Sequence, residues 1–198
     1  METHQVKVQV ADPTPLGLFG LALVTLVASS QKLGWTEGLS FVIPWALFLG
    51  GMAQIIASFF DFKHNNLFGA TAFCAYGLFW VAVSTAWLMK MGILGETLAA
   101  AADGKQLGVA FIGYLLLSIP LTISTLKMSV VMFVLMADIC LLFLSLGFDS
   151  LGLGESWHTV AAYSELTISL LTFYALSAKY LAVFFGKPML PVGNALIK

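Results

Sequence analysis

Apolar residues run along the chain in six long stretches, at about 15–34, 39–60, 67–90, 106–126, 128–148 and 158–184. Each is long enough for a helix rising 1.5 Å per residue to cross about 30 Å of hydrocarbon. Extended backbone in lipid would leave its amides unpaired, so the stretches are predicted to be helices. A polar tail, 1–14, precedes them and a C-terminal tail, 185–198, follows. The connections are Gly34 to Gly38, Asp61 to Asn66, Met91 to Lys105, the turn at Lys127, and Asp149 to Trp157. None has room for a soluble domain. The expected fold is an all-α integral membrane protein, one six-helix transmembrane bundle over 15–184.

Composition agrees with that pattern. With 60% hydrophobic and 10% charged residues and a mean hydropathy of +0.95, too little polar surface exists to cover a soluble globule. The polar first tail and the absence of an obvious cleavage site after the first stretch argue against a separate signal peptide. Cys74 and Cys140 both lie in apolar stretches, as small buried residues do, so neither a disulfide nor a metal pair is expected. His4, His64 and His158 sit in a tail or near helix ends, without metal-ligand spacing or a nucleophile to activate. No phosphate-cradling loop is present. The chain is therefore expected to be no enzyme and to need no cofactor, and its net charge of −1 points to no nucleic-acid partner.

All nine basic residues are lysines, and their distribution gives an orientation. With the N-terminus in the cytoplasm, that side holds Lys7, Lys63, Lys127, Lys179, Lys187 and Lys198, against Lys32, Lys90 and Lys105 outside. Positive charge accumulates on the cytoplasmic side, so both termini are expected there, in the cell membrane.

Polar residues inside the stretches recur at helical spacing: Gly17, Leu21, Thr25 and Ser29; Gly50, Gln54 and Ser58; Tyr114, Ser118, Thr122 and Thr125; Glu165, Ser169 and Thr172. One such hydroxyl is explained by an interhelical hydrogen bond of about 0.6–2 kcal/mol. Four stripes together predict a polar-lined path. Gly17, Gly20 and the Gly50–Gly51 pair would let helix backbones approach closely, while Pro44 and Pro120 are candidate kinks. Asp138 and Glu165 lie within spans, where a carboxylate usually faces a cavity or stays protonated as a donor. Both are candidates for proton-linked positions. If Glu165 faces a water-filled vestibule, about 10 Å below the outer end of its helix, acidification outside would neutralise it and favour passage of an anion.

Four blocks carry a family resemblance. They are Asp12-Pro13-Thr14-Pro15-Leu16-Gly17-Leu18, then Gly50-Gly51-Met52-Ala53-Gln54, then Asn65-Asn66-Leu67-Phe68-Gly69-Ala70-Thr71-Ala72-Phe73-Cys74-Ala75-Tyr76-Gly77-Leu78-Phe79-Trp80, and last Leu190-Pro191-Val192-Gly193. In that order the chain resembles the acetate uptake transporter family, the succinate-acetate permeases of bacteria and their relatives in archaea and fungi, over roughly residues 12–193. The family's first block usually opens Asn-Pro, so Asp12 is a departure, although both residue types cap helices.

The resemblance implies transport of acetate, with succinate or other short acids as further substrates. It also implies a homohexamer in the lipid bilayer, each subunit with its own pore, and a narrow apolar constriction made by a Phe, a Tyr and a Leu. The Tyr falls on Tyr76, the Phe position on Leu21 and the Leu position on Ile139, two departures that keep the site apolar. Phe19, close by on the same helix, is a candidate substitute for the missing ring. With Thr25, Gln54 and Thr71 these residues form the expected substrate pathway. With no arginine to grip a carboxylate by two bonds, an anion would be held weakly by hydroxyls, the Gln54 amide and helix N-termini. Weak holding suits fast passage, whether through a channel or a proton symporter. The alternative, a membrane sensor or assembly protein without transport activity, would not need polar stripes on several helices.

Overall fold

Side-chain caps and left-handed residues divide the chain into its helices. Asn66, Asp103 and Ser129 each accept a backbone N–H of the helix that follows, from Gly69, Lys105 and Met132, and so fix three helix starts. Gly186 closes the last helix with φ of 64°, a conformation open to glycine. The structure, a computed structural model, describes residues 10–197. Residues 1–9 of the first tail, with His4 and Lys7, and the terminal Lys198 therefore lie outside the described residues.

The elements are α1 (Thr14–Lys32), α2 (Val42–Trp45), a π-helical segment (Ala46–Ala53), α3 (Gln54–Lys63), α4 (Leu67–Lys90), α5 (Glu96–Ala100), α6 (Gly104–Thr125), α7 (Val130–Ser150) and α8 (Ser156–Phe185). Among the described residues every regular element is helical. The segments α2, π and α3 run on as one span, Val42–Lys63, and with α1, α4, α6, α7 and α8 they make six helices long and apolar enough to cross a membrane. The chain is a multi-pass membrane protein. The second span starts at Val42 rather than near 39 because Gly38 is left-handed, with φ of 74°, and Ser40 and Phe41 form a turn. Pro44 does not interrupt the span. It is the third helical residue, where the backbone N–H has no partner within the helix in any case. Pro120 lies inside α6.

The helices form a ring in the order α1, α8, α7, α6, α4, then the second span, which returns to α1. The longest seam joins the first and last spans, which run antiparallel. From one end to the other it holds Lys179 on Asp12 at 2.9 Å, the rings of Phe19 and Phe173 edge to face at 6.5 Å, Ser169 Oγ donating to Ala22 O at 2.8 Å, and Lys32 on Glu165 at 2.8 Å. Elsewhere glycines set the spacing. The backbone of Gly20 lies against the Leu49 carbonyl of the π segment, that of Gly77 against the Gly51 carbonyl, and Gly108 of α6 against Gly147 of α7. Small residues at crossings are how helices in lipid come close enough to pack.

After α8 the chain folds back as a strap. Val131 N donates to Val192 O at 3.1 Å, and Leu196 N donates to Leu126 O at 2.8 Å. Tyr174 Oη donates to Pro191 O at 2.7 Å. The strap is thus fastened to the α6–α7 turn and to α8.

The glycine contacts make a directional prediction. A Cβ at Gly20 would collide with backbone, whereas one at Gly113 on α6 meets nothing within 4 Å. Gly20→Ala is expected to lower stability by about 1–3 kcal/mol, the usual cost of overpacking, and Gly113→Ala to leave it unchanged or slightly raised. Thermal unfolding in detergent of both variants checks the contrast.

A candidate substrate vestibule

Because the spans alternate in direction, the start of α1, the end of α3, the starts of α4 and α7 and the end of α8 share one side, here the tail side. A cavity of about 390 Å³ opens among them, walled by α1, α3, α4, α7, α8 and the strap. No residue of α6 borders it. Polar side chains at its mouth are Thr14, Asn66, Ser129 and Lys179, and Pro188, Leu190 and Val192 of the strap complete the rim. Deeper, the wall is apolar, with Leu18, Phe73, Met132, Leu135 and Ala175.

Helix geometry places the floor. Leu21 is seven residues past the start of α1, and Tyr76 and Ile139 are each nine past the starts of α4 and α7. Gln54 is nine before the end of α3. At 1.5 Å per residue all four lie about 10–14 Å from the tail-side helix ends, near the middle of a 30 Å core. The structure brings Leu21, Gln54, Tyr76 and Ile139 together around the cavity. Tyr76 is only 4% exposed, and its hydroxyl shares a hydrogen bond with Ser118 Oγ at 2.9 Å.

Beyond the floor the bundle is filled with rings. Phe79, one turn further along α4, packs against Trp80, Phe111, Tyr114 and Phe143 at centroid distances of 5.1–5.8 Å. Tyr114 Oη donates to Ala75 O at 3.0 Å, which fixes one of these rings.

Gln54 is wholly buried. Its Nε2 donates to Gly50 O at 2.8 Å, inside the π segment. A carbonyl cannot donate, so this bond sets the orientation of the amide and leaves Oε1 as an acceptor. That oxygen is buried without a partner among the described residues.

Other expected pathway residues lie elsewhere. Phe19 does not reach the cavity. It is 37% exposed, on an outer groove with Leu16 and Tyr180, because residues two apart on a helix point in widely different directions and Leu21 holds the inward one. Thr25, one turn past Leu21, is buried and donates to Leu21 O at 2.8 Å. Neither it nor Thr71 borders the cavity. The hydroxyls of the stripes do not border the cavity. Ser58, Ser118, Thr125 and Thr172 donate to carbonyls three or four residues back in their own helices, a local bond that any buried Ser or Thr can make.

The carboxylates within the spans are also differently placed. Glu165 does not face the vestibule: it is 2% exposed, on the far side of the bundle, with both oxygens bonded to Lys32 Nζ at 2.8 and 3.0 Å. Lys32, the last residue of α1, reaches inward to it rather than into a loop. Asp138 precedes Ile139 but turns toward α8, where Oδ1 accepts Ser164 Oγ at 2.6 Å. His158 pairs loosely with Asp149 near the far-side helix ends, at 3.3 Å.

The pair at the mouth was not anticipated. Lys179 Nζ meets Asp12 Oδ2 at 2.9 Å, and Asp12 Oδ1 accepts Thr14 N at 2.9 Å. Partial burial pushes the Asp12 carboxyl up, but the hydrogen bonds from Thr14 and Lys179 outweigh it and hold the group below the ordinary aspartate value. A signal for Lys179 existed in the sequence. It is a cation inside the sixth apolar stretch, as anomalous there as the carboxylates that attracted notice.

Breaking the far-side pair has a predictable effect. Glu165→Gln leaves the part-buried Lys32 without its partner and is expected to cost about 1–3 kcal/mol. Glu165→Gln combined with Lys32→Met is expected to recover part of that loss, as thermal unfolding in detergent will show.

Comparison with known proteins places these features among relatives. Residues 2–191 match the GPR1/FUN34/yaaH family. The Succinate-acetate/proton symporter SatP of Escherichia coli (strain K12) is 28% identical over 94% of this chain and 97% of its own. The Ammonia transport outward protein 2 of Saccharomyces cerevisiae is 34% identical over 69% of this chain, which spans about half of that relative (49%). Among solved structures, that of the bacterial acetate channel SatP superposes with a TM-score of 0.87 at 28% identity, over 93% of this chain and 100% of the other.

Proposed function

The chain belongs to the GPR1/FUN34/yaaH family, and on that premise we propose that it carries acetate and related short carboxylates, succinate among them, across the cytoplasmic membrane. The observation that carries this reading is the vestibule itself: a polar mouth, an apolar wall, and a floor at mid-membrane depth where Leu21, Tyr76 and Ile139 meet. In this reading those three side chains are the constriction. Its apolar surface strips water from a solute, and a small solute with one polar end passes with the least loss of hydration. A carboxylic acid with a pKa near that of glutamate, about 4.3, is almost wholly ionised at neutral pH. Protonated, it carries an O–H that the unpaired Gln54 Oε1 can accept. The floor therefore suits passage coupled to a proton, while the mouth receives the anion. Channel-like passage of the anion would use the same constriction.

The direction follows from charge. Among the described lysines, Lys63, Lys127, Lys179 and Lys187 stand on the tail side, against Lys32, Lys90 and Lys105 on the far side, which supports cytoplasmic termini and a vestibule open to the cytoplasm. A ring of six chains belongs to the same proposal. Native mass spectrometry in mild detergent is expected to return hexamers.

Uptake of labelled acetate into proteoliposomes, with and without an imposed pH gradient, is the test. Flux above that of protein-free liposomes is expected, and its absence in folded protein overturns the reading. Ammonium flux measured in parallel separates this activity from the one named for the yeast relative. Tyr76→Ala is expected to widen the floor and raise the succinate-to-acetate flux ratio severalfold. An unchanged ratio places the constriction elsewhere.

A further inference from the structure

We propose that Lys179 is the carboxylate-capturing group of the vestibule mouth, and that Asp12 is a competitor built into the chain, occupying Lys179 until a solute carboxylate replaces it. The inference rests on the transport reading above for the solute's identity. The site itself rests on geometry.

Among the described residues lining the cavity, Lys179 is the one formal charge. Its ammonium is not bare. Asp12 Oδ2 lies on it at 2.9 Å, while the other carboxylate oxygen is held by Thr14 N at 2.9 Å, so the aspartate has the pose that a free carboxylate would take between a cation and the first turn of a helix. Thr14 also borders the cavity. The two side chains are 48% and 36% exposed, so water reaches the pair and it can open without stranding a charge in an apolar setting.

One other titratable group, Asp61 near the end of α3, lies within electrostatic range of both Asp12 and Lys179. Asp61 is buried and turned aside, Oδ1 accepting from Asn66 Nδ2 at 2.9 Å. It does not compete for Lys179 at bonding distance.

Exchange at Lys179 conserves charge. One carboxylate leaves and another arrives, so Lys179 is paired before and after the exchange. Asp12 is held below the ordinary aspartate value, so it remains a carboxylate wherever a short acid is ionised, and the competition persists at cellular pH. A tethered competitor acts at an effective concentration in the millimolar range. A free monocarboxylate therefore captures Lys179 only when it is itself abundant, and its apparent affinity is set by the tether as well as by the lysine.

Binding and flux distinguish this site from the function it rests on. Saturation-transfer NMR of acetate on the full-length purified protein, with acetamide as the uncharged control, reports binding whether or not transport occurs. Asp12→Asn is expected to lower the apparent acetate Kd about two- to fivefold, as competition by an exposed ion pair allows, and Lys179→Gln to abolish the charge-selective signal in both the wild-type and Asp12→Asn backgrounds. Lys179→Arg keeps the cation and is expected to keep the signal, which guards against a variant that merely misfolds. An acetate Kd unchanged by Asp12→Asn and by Lys179→Gln, in protein that elutes as wild type, overturns the proposal. Proteoliposome flux on the same samples is read separately: binding that depends on Lys179 without flux removes the transport reading and leaves the site standing, whereas flux with binding indifferent to Lys179 does the reverse.

Discussion

The antiparallel contact of the first and last spans, 133 residues apart at Lys32 and Glu165, closes the ring of helices. Without it the bundle would be an open row, and the cavity would have no wall between α1 and α8. The seam is held by two kinds of force. Ion pairs mark its ends, and between them Ser169 reaches the Ala22 carbonyl while Phe19 meets Phe173. Hydrophobic burial cannot favour one helix partner over lipid. Polar contacts with no substitute in hydrocarbon therefore carry the specificity of the pairing, and the pair of Lys32 with the buried Glu165 is the one whose loss strands a charge.

The two halves of the ring's interior differ in consequence. On the tail side the helices enclose a vestibule. On the far side Phe79 and its neighbouring rings fill the same space, with Tyr76 at the boundary. In the transport reading proposed above, a solute moving past Tyr76 would displace ring contacts rather than simply enter a tube. Edge-to-face and tilted pairs of this kind are each worth about 0.5–1.5 kcal/mol beyond their buried area, small enough for side-chain motion to open a path and large enough to keep it closed at rest.

How much of this could be read from the residues depends on the range of the interaction concerned. The six spans were legible because hydropathy over about 20 residues is a local property, whereas their ends, set by caps and turns such as that at Gly38, lie a few residues from the expected ones in every span but Leu67–Lys90. The convergence of Leu21, Tyr76 and Ile139 was reachable through similarity, and helix rise explains it after the fact, since each lies seven or nine residues from a tail-side end. The hydroxyl stripes misled because a helical spacing of four serves equally a face turned to a cavity and a side chain bonded to its own backbone, as in Ser118 and Tyr114 O. Glu165 misled for the opposite reason. Its partner lies 133 residues away in the chain, and Lys32, near the end of the first stretch, was weighed only for its side of the membrane. Lys179 had the same ambiguity, being counted for its side of the membrane and not for its depth in a span.

The π segment has a mechanical meaning for the second span. Its wider turns add a residue relative to an α-helix, and so fix the rotational phase between Gly50 and Gly51, which meet α4, and the lower half that carries Gln54, Ser58 and Asp61. An α-helix turns about 100° per residue. Were the same eight residues wound as plain α-helix, the span's composition and hydrophobicity would be untouched, yet Gln54 would swing around the helix axis relative to the glycine crossing. The amide that now faces the cavity would then be aimed into a neighbouring helix. The span is, in effect, keyed like a lock cylinder, and what it conserves is an angle.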